Sequence, residues 1–253
     1  MSRSHCFSEN AAKNAGLVVK LCQRELTASG FNNRKRKTLW RRTNVKFDVI
    51  KFDVIPKSRC EKWGTLPGSF ILALSCLFPF LPRAGYLPGQ IDYQPEDGYG
   101  QVRLAVERGI RQPSVKPPNI WWPGATTSEF KAVVEDVLRV INESGTPFFS
   151  RFEDTKELLR TFLEDDDAID RVGIWDIGRN GSPTRLLYTG FAAIECGEWS
   201  LAISSLQTCR EKISSFSESV REQVETEILP YVQEGLSCAE QKTPWLGTTS
   251  RTG

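Results

Sequence analysis

The sequence predicts an α+β fold: an antiparallel, twisted sheet of four or five strands with an N-terminal helix, followed by a C-terminal helical region. Three observations carry this. Apolar residues recur at helical spacing near the N-terminus. Between about residues 38 and 106 they alternate, or run unbroken in short segments, as strands do. After Pro123 the helical period returns and lasts to about residue 237.

The first helix is expected over about 9–29, with Ala15, Val18, Val19, Cys22 and Leu26 on one face and Gly30 just past its end. One strand is expected over 38–44 and another over 45–55, where KFDVI occurs twice in tandem. Five is odd, so a straight strand turns Phe47 and Phe52 to opposite faces. A bulge at Val49 and Ile50 would bring both apolar sets to one face. A strand that changes its buried face midway is the alternative, and the bulge is preferred. The segment 69–78 is apolar on both faces and reads as a central, covered strand. Val102, Leu104 and Val106 alternate with polar residues, a half-exposed strand. The stretch before it, 82–100, is rich in Gly and Pro and reads as loop. Residues 119–122 suggest a short edge strand.

Thr126 and Glu129 form a capping-box pair that opens a helix with Phe130, Val133, Val134, Val137, Leu138 and Ile141 on its apolar stripe. Gly145 is expected to close it. Asp154 and Glu157 start a shorter helix, and the EDDD run at 164–167 is its polar exit. Ser182 and Pro183 have the Ncap and N1 chemistry of a further helix. Helices over about 199–213 and 217–237 follow, and the tail from Gln241 is expected to be loose. The expected division is an α+β domain over 1–165, a helical extension over 166–240 and a tail over 241–253.

The chain's 253 residues carry a net charge of only +2, so whole-chain charge points to no partner. Its distribution says more. Residues 34–62 hold 11 Lys/Arg against 3 Asp/Glu, whereas 153–170 hold 8 Asp/Glu against 2 Lys/Arg. Seven cysteines, an odd number without a CxxC pair, suit a reducing, cytoplasmic setting. The polar N-terminus suggests no secretory leader, and the longest apolar run, 12 residues with Pro79 inside it, is too short to span a bilayer.

Histidine chemistry is disfavoured by inventory, because the one histidine, His5, stands in a polar N-terminal stretch. No catalytic residue, metal site or cofactor is assigned. The string GRNGS at 178–182 precedes a helix with Pro at N1 and reads as a turn, not a phosphate cradle. Carboxylates are the remaining route to acid–base chemistry, with Asp92, Glu96 and Asp97 grouped in the long loop. The binding candidates are Arg34, Arg36, Trp40, Arg41 and Arg42, a basic run with an aromatic residue that could grip phosphates and stack bases. A second set is Trp121 and Trp122 with Arg151, beside Phe148 and Phe149, a residue mix suited to an interaction surface; core packing is the preferred account of those rings.

Four stretches in order, GFNNRKRKTLWRR at 30–42, FDVIPKSRCEKWGTLPGSF at 52–70, NIWWP at 119–123 and GTPFFSRFEDTKELL at 145–159, resemble the bacterial family called domain of unknown function 4304. That resemblance implies a fold and carries no activity. The segment 188–209 resembles one tetratricopeptide repeat, with Gly190, Ala193, Gly197, Trp199, Ala202 and Leu206 at the repeat's small and large packing positions. Leu186 stands where the repeat prefers Trp and Ser214 where it prefers Pro. One repeat implies a helical hairpin packed on the domain, because solenoids need about three. The missing chemistry and this hairpin point to a non-enzymatic protein-binding or regulatory protein, an immunity-type role among them. The alternatives are a nucleic-acid module using 34–42 and a carboxylate-dependent enzyme.

Overall fold

The computed structural model describes residues 3–82, 95, 100–106, 120–124 and 126–245, and side chains within these apart from 3–12, 219, 220 and 223. The architecture is mixed α+β, with helix α1 (Arg3–Leu26) ahead of the sheet and helices from α3 onward following it. The described sheet has seven strands, more than the four or five expected. The surplus comes from very short strands that carry no periodic signal: β1 (Asn33–Lys35) and β7 (Ile174–Trp175).

The sheet order is β1-β2-β3-β4-β5-β7, with β2 at Thr38–Arg42, β3 at Phe47–Val54, β4 at Phe70–Leu77 and β5 at Val102–Leu104. β6 (Ile120–Trp121) shares the far side of β4 with β5, pairing at Phe70 and Ile71. Every described pairing is antiparallel. A short helix, α2 (Lys57–Trp63), links β3 to β4 and packs Cys60 with Ile55 and Ile120.

β3 corrects the preferred bulge. Its register against β4 is continuous from Phe47↔Leu77 to Val54↔Phe70. Asp48, Ile50 and Phe52 therefore share one buried face, while Val49 is buried on the other. Neither alternative describes the strand: the face of Asp48, Ile50 and Phe52 stays buried along it, and the opposite face, with Phe47, Lys51 and Asp53 half-buried, is fully covered only at Val49.

Helix α1 buries Ala15, Val18, Val19, Cys22 and Leu26, the face expected from its spacing. It ends through a 3-10 turn at Thr27–Ser29 and Gly30, whose φ of 86° needs a glycine. α3 (Thr127–Val140) starts with the Thr126–Glu129 capping box and packs on α1. Gly145 does not close it. A π-helical turn at Ile141–Gly145 leads straight into α4 (Thr146–Arg151), and Gly145 keeps helical φ. Its small size serves packing, since a Cβ there would sit 3.0 Å from Leu74 Cδ1 of β4.

α5 (Thr155–Leu163) is capped by Asp154. The EDDD run is not only an exit. Asp165 caps α6 (Asp166–Arg171), accepting from the Ala168 amide at 2.7 Å. Asp166 accepts from the buried Arg185 guanidinium at 3.2 Å. Arg185, on α7 (Pro183–Cys196), also donates to the carbonyls of Phe162 at 3.0 Å, Gly178 at 3.1 Å and Glu164 at 2.7 Å, tying α7 to the end of α5. α7, α8 (Trp199–Ser214) and α9 (Glu218–Gln241) pack together around Leu206. A Cβ on Gly190 would meet Leu206 Cγ at 2.5 Å. The tail is anchored, not loose, at its start: Trp245 is buried with its ring 4.6 Å from Phe191.

Candidate functional site

The β1–β2 hairpin turns at Arg36 and Lys37, with Lys35 opposite Thr38. Arg36 has φ 55°, a left-handed conformation unusual for a side chain of its size. The hairpin folds its cations over one end of α1, where Arg34 donates to Gln23 Oε1 at 3.1 Å. Between α1, the hairpin and the last turns of β3 lies a cleft of about 640 Å³. Its floor is small or apolar: Gly16 and Val19 from α1, Phe52 and Val54 from β3. Its rim is cationic, with Arg34, Lys35, Arg36, Lys37 and Lys51 against one carboxylate, Asp53. Burial pulls the Lys37 ammonium below its usual pKa, and the nearby Asp53 opposes that pull. Gly16 leaves open space in the wall, since a Cβ there would meet nothing within 4 Å.

Arg41 and Arg42 do not extend this rim. Arg41 stands on the same strand face as the buried Leu39 and turns inward. Its Nε donates to Asp48 Oδ2 at 2.7 Å, and its Nη1 to the Ser29 carbonyl at 2.7 Å. The guanidinium lies 4.9 Å from the Phe31 ring centre. Lys46, whose side chain is fully buried, ion-pairs with the other oxygen of the fully buried Asp48. The Cys76 thiol, directly across from Asp48, lies 3.8 Å from that oxygen and is held well above its ordinary pKa, first by its own burial. Lys46 and Asp48 are thus locked into the core, with the partly buried Arg41 bonded over them. Arg42 is exposed on the opposite face, over the Phe47 ring at 5.9 Å. Trp40 is half-buried against the core. The basic run at 34–42 is thus split, because alternation along β2 sends Arg41 and Arg42 to opposite sides.

The second set packs inward, as the preferred core-packing account of its rings expects. Trp121 is fully buried, stacks on Phe70 with ring centres 6.1 Å apart and donates from its indole to Asp136 at 2.8 Å. Phe148 and Phe149 are buried among Phe31 and Phe152. Trp122 is half-buried. Arg151 is held by Thr161 at 3.0 Å, Glu157 at 3.3 Å and Glu164 at 3.3 Å. It borders a second cavity of about 540 Å³ beside the π-helical turn, with Val106, Phe148 and Ile174 among the apolar walls and Glu143, Asp170 and Arg171 at the mouth. Charges of both signs meet there, so this cavity selects neither anion nor cation.

Glu143 and Asp170 border the second cavity, but each is ion-paired, with Arg139 and Arg179. Asp48, Asp136, Glu157 and Glu164 are each spent on arginine. Asp92, Glu96 and Asp97 lie outside the described residues, as does the His5 side chain. Among the described residues, no cluster of His, Cys, Asp or Glu could hold a metal ion, and no helix is long and apolar enough to cross a membrane.

No family model matches the chain, and no curated protein or solved structure matches it significantly.

Proposed function

We propose that the chain is a non-enzymatic binding protein whose cationic cleft takes an acidic segment of a partner protein. The observation that carries this is that five Lys and Arg residues line one cleft with a single acidic residue among them. Arg34, Lys35 and Arg36 are exposed, while Lys37 and Lys51 are partly buried and attract an anionic group more strongly than fully solvated cations, because the surrounding dielectric is lower. The apolar floor gives a peptide side chain something to pack on between its carboxylates.

A protein segment fits better than a nucleic acid. The ring of Phe52 is buried in the floor, so no described aromatic face is open in the cleft to stack a base. A regulatory or immunity-type role, in which an acidic partner is sequestered, is the biological form of this reading. The tetratricopeptide-like α7–α8 hairpin is assigned to scaffolding, with Gly190 and Leu206 closing its interior.

Fluorescence anisotropy with a labelled oligoglutamate peptide and a single-stranded oligonucleotide of equal length tests the proposal. The peptide should bind, weaken with added salt, and lose its affinity in the double variant Arg34→Glu with Arg36→Glu. Preference for the oligonucleotide, or peptide binding unchanged in the double variant, would overturn it. Gly16→Trp fills the cleft without changing its charge and should also block binding. Unchanged affinity there would move the contact from the cleft to the outer rim.

A further inference from the structure

β1 ends the described sheet: it pairs with β2 on one side, and no described strand lies on the other. Register fixes which main-chain groups face that open side. The Phe52 amide donates to the Lys37 carbonyl at 2.9 Å, so residue 37 presents its main chain to β3. In an antiparallel ladder the N–H and C=O of one residue point to the same side of the strand, and the side alternates along it. Residues 39 and 41 therefore face β3, while 38 and 40 face β1. Thr38 and Trp40 are the partners of Lys35 and Asn33. Arg34, between these two, points both main-chain groups away from β2, and the residue is exposed.

An open edge invites pairing with any extended chain, and sheets discourage this with charges along the edge. Here the charges are Arg34 and Arg36, at the mouth of the cationic cleft. They repel a second copy of the same edge. They attract a strand rich in Glu or Asp. We infer that an acidic peptide binds as an added strand along the outer edge of β1, with its backbone bonded to the amide and carbonyl of Arg34. Alternate carboxylates then fall on one face of the added strand, where Arg34 and Arg36 meet them. This rests on the acidic-segment reading above and adds the geometry of docking. Main-chain pairing supplies affinity, and the cations select the sequence.

The test uses a peptide of about six residues, Glu alternating with Val, a length ordinary for a strand. A second peptide has the same side chains and an N-methyl group on every backbone nitrogen. Methylation removes the donors and blocks approach to the edge while leaving the carboxylates in place. The unmethylated peptide should bind, the methylated one should bind roughly tenfold more weakly, and the Arg34 amide should gain hydrogen-exchange protection only with the first. Equal binding of both peptides, without protection at Arg34, would overturn strand addition and leave the acidic-segment reading standing. Binding of neither would remove both.

Discussion

Two groups of cations from one stretch of chain meet opposite fates. Arg34, Lys35, Arg36 and Lys37 rim an open cleft, while Arg41 and Lys46 are drawn into the core by Asp48. Composition is the same in both groups. The difference lies in the pleat: Arg41 shares a face with buried Leu39, and Asp48 stands across from it on β3. A basic run in a sequence is thus not a basic surface until strand parity has divided it.

The sharpest way to break the comparison is to remove the carboxylate of the inner group. Asp48→Asn leaves the buried Lys46 and the partly buried Arg41 without a counter-ion, and should lower stability by about 3–5 kcal/mol in chemical denaturation. Lys46→Met leaves the Arg41–Asp48 pair balanced and should cost distinctly less. If Lys46→Met proved the more damaging, the inner group would not be organised around Asp48.

Alkaline pH should come next in size. Burial pushes the Cys22 and Cys209 thiols up to about 12 from 9.0. The unfolded chain ionises these thiols from about pH 9, whereas the folded chain holds their protons until about pH 12. The unfolded state then binds fewer protons, so stability falls as pH rises through that window. Lys37 has the opposite sign. Its folded pKa is lowered, so between that value and the ordinary 10.5 the unfolded state binds more protons and the group's own contribution rises with pH. The two thiols should dominate a denaturation series across this range. The affinity for an acidic peptide should fall over the same range as Lys37 loses its charge.

The outer group should show the reverse pattern, a large binding effect with a small stability effect. Arg34→Glu with Arg36→Glu should change unfolding free energy by about 0.5 kcal/mol or less while abolishing peptide binding. Arg36→Gly should stabilise the fold by up to about 1 kcal/mol by relieving the left-handed turn, yet weaken the peptide. A loss of stability in that variant would show that the Arg36 side chain holds the hairpin.

Much of the fold was legible where periodicity is long. The stripe of α1 from Ala15 to Leu26, the Thr126–Glu129 capping box and the Ser182–Pro183 start of α7 all follow from local chemistry. β1 and β7 were not legible, because two or three residues have no period. Asp165 as a cap was masked by its acidic neighbours. The straight course of β3 depends on cover over both faces, which no single strand reports. Of the site, the run at 34–37 stood out by charge. Gly16, Val19 and Lys51 did not, because only folding brings them to it. The inward turn of Arg41 did have a signal: it lies two residues from Leu39, the most apolar position of β2.

Amide chemical-shift mapping with the alternating Glu–Val peptide tests the central claim most directly. The account expects shifts confined to residues around Gly16, the β1–β2 hairpin and the Lys51–Asp53 end of β3, with the Arg34 amide among the most affected. Shifts gathered instead around Val106, Phe148 and Ile174 at the second cavity, or none at the hairpin, would contradict it.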